Sequence, residues 1–285
     1  MSLQKPIIII GAPRSGTSIL ARILSRHESL AYENEPRMIW RYGNDACSDM
    51  LRVKHARPEV IRYIRKKFES RVLKKGKSRL LEKTPSNSLR VDFVNEVFPD
   101  CKFVHIIRNG YDSVLSIRSF WDSHVSGVLQ KKIDQKDSIL LQRLKEMHPS
   151  QIPYYAAEFA SRILPSNRHA RWGPRLPGMN QWIDDVDLLE LCSLQWRFCV
   201  EHASIQGRKY GNRYMECRLE GLSVESVREI IKFCELPYNR AVEEYLSKEF
   251  VIGQSEKRKS TYGGEILEEL YDYIGPTMRW LGYEE

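Results

Sequence analysis

The stretch IIIIGAPRSGTS, residues 7–18, decides the fold. Four consecutive isoleucines have the all-apolar, β-branched character of a short strand buried on both faces, as in a parallel sheet. Gly11 follows, then a Pro-Arg-Ser turn, Gly16 and, from Thr17, the apolar spacing of a helix. Strand, glycine-bearing turn and helix in that order make a phosphate-binding loop, because free backbone N–H groups and the positive end of a helix favour an anion. The nucleoside-triphosphate form reads G-x-x-x-x-G-K-[ST], with the lysine on the terminal phosphates. Here both glycines and Ser18 are in place, and Thr17 occupies the lysine position. Arg14, the amides around Gly16 and the hydroxyls of Ser15, Thr17 and Ser18 remain, a set suited to a group less charged than a triphosphate.

Outward from the loop, strand and helix patterns alternate. Ile19, Leu20, Ile23 and Leu24 form the inward stripe expected of the first helix. Residues 30–33 and 79–83 read as strands, 58–75 as a helix with Ile61, Ile64, Phe68 and Val72 inward, and 86–98 as one helix capped by Ser86. Residues 101–107 form a buried strand ending in Arg108, and 110–121 return as a helix. This alternation predicts an α/β, P-loop-type three-layer fold: a central parallel sheet flanked by helices, with right-handed crossovers. Residues 122–185 break the rhythm and are expected to form a mainly helical insertion. The Pro-, Gly- and Arg-rich stretch 165–178 within it predicts a long functional loop. Further on, 187–203 reads as a helix, 213–219 as a strand, and 223–235 and 238–248 as helices, with a last helix ending near Leu281.

Composition narrows the class. The chain has 285 residues, 42% apolar and 29% charged, as in a soluble globular protein. No apolar run approaches the roughly 18 residues needed to span a bilayer. No secretory core region is visible either, so a cytoplasmic location is expected, the alternative being the luminal domain of an anchored protein. Six cysteines without a C-x-x-C pair, and no N-x-[ST] sequon, predict free thiols in a reducing compartment. The histidines are scattered, so no metal site is expected. A net charge of +8 points to an anionic ligand. Nine basic residues between Arg62 and Arg79 face one acid, Glu69, and predict an amphipathic helix with a basic outer face. That face is either merely solvated or a docking surface for a polyanion or membrane; no nucleic-acid-binding motif accompanies it. Trp40, Trp121 and Trp196 are expected to be packing residues, and His105 a core histidine.

A second feature bears on the ligand. Arg108 ends a buried strand, and Ser116 lies eight residues on, in the following helix. At the carboxyl edge of a parallel sheet two such donors face the ligand crevice. Where an ATPase would place an acidic magnesium ligand, VHIIRNG supplies an arginine. An Arg with a Ser suits a second, isolated phosphate.

With these two features the sequence resembles the sulfotransferase superfamily, whose members use 3′-phosphoadenosine 5′-phosphosulfate (PAPS). The likeness rests on the loop, on FPDCKFVHIIRNGYDSVLS (98–116), and on LLEKTPSN (80–87), which is similar to the E-K-[ST]-P segment of the Golgi and bacterial branches. RYMECRLEGLSVESVREIIKFCELPY (213–238) resembles the R-Y-E-D-L segment and following helix, with Gly221 in place of the usual Asp. The resemblance covers 1–121 firmly and 187–285 more loosely. It implies that Arg14, Ser15, Gly16, Thr17 and Ser18 bind the 5′-phosphosulfate, and that Arg108 and Ser116 bind the 3′-phosphate. It also implies that a basic loop with Lys257, Arg258 and Lys259 closes over the cofactor. The first forty residues look most like tyrosylprotein sulfotransferases, whose P-R-S-G-T-T loop is followed by an E-E-T-R-type segment; this chain has ENEPR at 33–37. Glu35 is then the catalytic base, with Glu33 the alternative if strand alternation puts both on one face. Arg37 is an acceptor- or phosphosulfate-binding group, and Lys83 the cation on the bridging oxygen.

The chemistry agrees with these roles. Sulfuryl transfer resembles phosphoryl transfer, with a planar, loose group between in-line oxygens. A carboxylate suits removal of the acceptor proton, and Lys83, Arg14 and the loop amides suit the charge developing on the leaving group. The implied activity is sulfuryl transfer from PAPS to a hydroxyl, leaving adenosine 3′,5′-bisphosphate (PAP) and needing no metal. One domain over 1–285 is expected: 1–121 as the cofactor-binding core, 122–185 shaping the acceptor site, and 186–285 completing the core. Trp172 and Arg175 of the Arg-rich loop are the expected acceptor contacts, for a glycan, a small metabolite or a peptide. An atypical P-loop kinase and a non-catalytic anion- or glycan-binding protein are the competing readings.

Overall fold

In the computed structural model, which describes residues 3–125, 141–163, 172–248 and 263–284, strand β1 spans Ile7–Ile10 and all four isoleucines are fully buried. A strand of this kind needs a partner on each edge. β3 (Arg79–Lys83) pairs on one side, with Ile8 against Glu82, and β4 (Lys102–Ile107) on the other, with Ile9 against Val104. β2 (Leu30–Asn34) and β5 (Tyr214–Arg218) complete a five-stranded parallel sheet in the order β2-β3-β1-β4-β5.

Pleating divides β1 between two cores. Ile7 and Ile9 pack with Leu20, Ile23 and Leu24 of α1 (Thr17–Leu24) and with Val227 and Ile230 of a later helix, whereas the short α2 (Arg37–Arg41) sends Ile39 and Trp40 to the opposite core. Ile8 and Ile10 pack with Ile64 and Phe68 of α3 (Pro58–Lys74) and with Phe93 and Val94 of α4 (Val91–Val97). Next come α5 (Gly110–Val125), α6 (Ile152–Ile163), α7 (Met179–Trp182) and α8 (Leu188–Gly207). The chain ends with α9 (Val224–Phe233, the helix that bears Val227), α10 (Arg240–Lys248) and α11 (Gly264–Trp280). A third core joins α5, α8 and α11 around Trp121, Trp196 and Met278. Trp40, Trp121 and Trp196 are buried as expected, and His105 is fully buried with a ring nitrogen 2.7 Å from the Tyr214 hydroxyl. None of the six cysteines is joined in a disulfide. Among the described residues no helix is long and apolar enough to cross a membrane.

Three local expectations are corrected. The segment 86–98 is not one helix: a 3-10 turn, Pro85–Leu89, precedes α4, with the break at Arg90 (φ −144°). Side chains compete there with helical backbone bonding: Asn87 Nδ2 donates to Glu82 Oε2 at 2.9 Å, and Ser88 Oγ accepts from the Gly11 amide at 2.8 Å. In α1, Ile19 is 43% exposed, and Ala21 takes its place in the inward stripe. In α3, Val60 joins Ile64, Phe68 and Val72 as the buried stripe, and Ile61 packs against it only partly buried.

Part of the basic run at 62–79 is structural. Arg71 and Lys75 grip Glu33 at 2.5 and 2.7 Å, Arg65 Nε donates to the Val97 carbonyl at 2.6 Å, and Lys77 Nζ to the Glu28 carbonyl at 2.7 Å.

Candidate active site

The loop after β1 is shaped by close approach. A Cβ on Gly11 would lie 2.4 Å from the Ile106 carbonyl oxygen, and one on Gly16 would lie 2.6 Å from Leu219 Cδ1, with Gly16 at φ 93°. Arg14 is also left-handed, at φ 67°. The turn closes on itself: Ser15 N and Oγ both donate to the Ala12 carbonyl, at 3.2 and 2.7 Å. The Ser15 hydroxyl, expected to contact the ligand, is therefore buried and engaged within its own loop. Thr17 is also buried, while Ser18 is exposed. Gly16 caps α1 without any side-chain acceptor, so the first-turn N–H groups keep their capacity for an anion.

The two expected anion sites adjoin. Arg14 Nε donates to Ser116 Oγ at 3.1 Å, and Arg108 Nη1 donates to the Arg14 carbonyl at 3.3 Å. The turn carrying Arg108 is fixed from both sides. Glu220 Oε1 accepts from the Asn109 amide at 2.7 Å, and Asn109 Oδ1 accepts from the Tyr111 amide at 3.0 Å, which starts α5. Arg108 lies 3.5 Å from Asp112, and its Nε is buried without a hydrogen-bond partner.

Across from the loop stands the second cluster. Glu35 leaves β2 with φ 50°, and its amide still donates to the Lys83 carbonyl at 2.9 Å. Its carboxylate accepts from Lys83 Nζ at 2.8 Å and from Arg37 Nη2 at 2.6 Å. Burial pushes the Glu35 carboxyl up, but Arg37 and Lys83 outweigh it and hold the pKa at about 2, against an ordinary 4.5. A depressed carboxyl contributes stability above its unfolded pKa and loses it as pH falls toward the folded value. Acid titration followed by circular dichroism should therefore show Glu35→Gln narrowing its stability deficit from wild type between pH 4.5 and 2.

The left-handed residue breaks strand alternation, so Glu33 and Glu35 do not share a face. Glu33 is buried against α3 on Arg71 and Lys75. Glu82, the other carboxylate beside Lys83, accepts from Trp40 Nε1 and Asn87 Nδ2, both at 2.9 Å, and burial pushes its pKa up to about 7.

A cavity of about 370 Å³ lies between the clusters. Arg14, Thr17 and Ser18 line one side and Glu35 and Arg37 another, with Phe120 and Trp172 as walls. The Trp172 ring packs against Phe120 at 4.5 Å between centroids. A second cavity, about 500 Å³, adjoins it and shares Arg37, Arg143 and Trp172. Arg175 lines this second space, and its backbone N–H donates to Asp49 Oδ2 at 2.8 Å. Lys257, Arg258 and Lys259 lie outside the described residues, as do parts of 122–185. Among the described residues no group of three or more His, Cys, Asp or Glu side chains is placed to hold a metal ion.

Asp49 has no counterpart in the sequence reading. It is fully buried and takes Arg41 at 3.0 Å, Arg90 at 3.7 Å and Arg175 at 3.9 Å. Burial pushes its carboxyl up, yet the three guanidiniums hold it well below the usual range. Asp49→Ala leaves buried guanidiniums without a counter-charge, so chemical denaturation should register a loss of about 3–5 kcal/mol. Ser88, Phe120 and Arg143 were also missed. Ser88 directly follows the quoted segment 80–87, whose polar run was a usable signal, whereas no local pattern marks Arg143.

A family model described as "Sulfotransferase family" matches residues 6–166. Among solved structures, the chain is similar to sulfotransferase STF9 from Mycobacterium avium, at 14% identity, with 98% of this chain and 77% of that one covered and a TM-score of 0.54. It is also similar to the sulfotransferase domain from the curacin biosynthetic pathway, at 12% identity, with 96% and 99% covered and a TM-score of 0.51. At these identities the likeness is one of fold. No curated protein matches the sequence.

Proposed function

The chain belongs to the sulfotransferase family, and from that premise we propose that it moves the sulfuryl group of PAPS to a hydroxyl acceptor, with Glu35 as general base. The observation that carries this reading is one cavity lined both by Arg14, Thr17 and Ser18 of the phosphate loop and by the Glu35 carboxylate.

The residues fit such a cofactor. The loop closes against Ile106 and Leu219, where a Cβ on Gly11 or Gly16 would clash, the first-turn N–H groups of α1 carry no side-chain cap, and the orphaned, buried Arg108 Nε is a donor awaiting an acceptor. Arg14, Gly16, Thr17 and Ser18 would hold the 5′-phosphosulfate, with Ser15 shaping the turn, and Arg108 and Ser116 would hold the 3′-phosphate. Lys257, Arg258 and Lys259 are proposed to close over the cofactor. When bound, PAPS supplies an activated sulfuryl group and leaves as the bisphosphate.

Lys83 would turn its ammonium toward the bridging oxygen and offset the charge growing there. That movement changes Glu35. With both cations on it the carboxylate is ionised but weakly basic; once Lys83 leaves, only Arg37 holds it and its proton affinity rises. Glu35 then accepts the acceptor's hydroxyl proton as the new bond forms. Arg37 orients the carboxylate, and Phe120 and Trp172 wall off water. Residues 1–121 would thus bind the cofactor, 122–185 shape the acceptor site, and 186–285 complete the core through contacts such as Glu220 on the Arg108 turn.

Incubation with sulfur-labelled PAPS and a panel of hydroxyl acceptors tests the reading. Acceptor-dependent PAP formation without added divalent metal is expected. PAP binding with no label transfer to any acceptor would favour a non-catalytic binder.

A further inference from the structure

The larger cavity has walls of two kinds. Met38, Leu144, Met147 and Ile152 give it apolar surface, and Leu144 and Ile152 are 53% and 54% exposed although both are large hydrophobics. Exposed apolar side chains gathered around one cavity mark a binding surface, and methionines adapt to varied shapes. Arg37, Arg41, Arg143 and Arg175 supply charge on the same lining, against one carboxylate, Glu158.

These arginines differ in what they already hold. Arg37 is engaged by Glu35. Arg41 and Arg175 share Asp49 with Arg90, so one carboxylate serves three guanidiniums and a positive surplus remains behind the cavity. The Arg143 guanidinium has no hydrogen bond or ion pair within 4.0 Å among the described residues, and it stands at the junction of the two cavities.

We propose that the acceptor is an amphipathic anion: a hydroxyl compound whose apolar body lies against Met38, Leu144 and Met147 and whose carboxylate, sulfate or phosphate docks on Arg143. The inference rests on the sulfotransfer reading and specifies the substrate class of that site. Arg143 is then a specificity-determining residue. A neutral glycan leaves the apolar wall uncovered, and a neutral lipid leaves the guanidinium unanswered.

Calorimetric titration of the full chain, saturated with PAP, tests it with two probes of equal length, 3-hydroxydodecanoate and dodecane-1,3-diol. The carboxylate should bind about 10- to 100-fold more tightly, the range of a charge-assisted hydrogen bond. Arg143→Gln should erase that advantage and leave diol affinity unchanged, while Met147→Asp should weaken both probes. The exposed position of Arg143 makes its loss harmless to folding. Equal affinities in wild type, a preference that survives Arg143→Gln, or no binding of either probe overturns the inference. Titration of the same preparation with PAP alone separates the two readings: intact PAP binding without a carboxylate preference removes only this proposal, whereas absent PAP binding removes the reading beneath it.

Discussion

Arg108→Ala is expected to weaken PAP binding by about 100-fold, since charge-assisted hydrogen bonds to a phosphate contribute about 1.5–3 kcal/mol each. The side chain sits at the end of β4, 12% exposed, with Nη1 on the Arg14 carbonyl and a buried Nε that has no partner. A 3′-phosphate would engage that donor. Arg108→Lys should recover part of the affinity, because it keeps the charge and loses the planar fork. Calorimetry reads both values, and thermal melting checks that the variants remain folded. An Ala variant with wild-type affinity would refute the assignment of Arg108 and Ser116 to the 3′-phosphate.

Glu35→Gln carries the second large effect. Loss of a general base typically costs about 100- to 10,000-fold in turnover, and kcat should fall by that order while PAP affinity stays near wild type. The amide keeps the shape but no longer neutralises Lys83, whose side chain is 3% exposed. Removal of one partner from a buried pair is destabilising by about 3–5 kcal/mol, so assays belong at a temperature where melting shows the variant folded. A parallel fall in cofactor affinity and turnover would mean that Glu35 acts only by placing Lys83.

The parts of this account that were legible in sequence are those set by local pattern. Four β-branched isoleucines ending at a glycine favour a strand buried on both faces, so β1 and the phosphate loop followed directly, and the alternation after it led to the parallel sheet. Arg108 was placed by the buried strand that precedes it. Errors arose where a side chain's partner lies far along the chain. Ser86 read as a helix cap, but Asn87 and Ser88 bond to Glu82 and Gly11 and split the segment. Glu33 and Glu35 read as one face because alternation is the default, and a left-handed Glu at φ 50° has no sequence signature. The basic run at 62–79 read as either a solvated face or a docking surface, and two of its members, Arg71 and Lys75, instead neutralise Glu33 of β2. Lys83 meets Glu35 only because β2 and β3 pair with Asn34 opposite Lys83. Arg143 and Asp49 had no local marker at all, and their meaning comes from the cavity and the guanidinium cluster they join.

The most direct test of the central claim is calorimetric titration of the wild-type chain with PAP in the presence of a chelator, beside a titration with Mg·ATP. The account predicts PAP binding that is indifferent to magnesium and much tighter than that of Mg·ATP. Preference for Mg·ATP, or no heat with PAP, would contradict it.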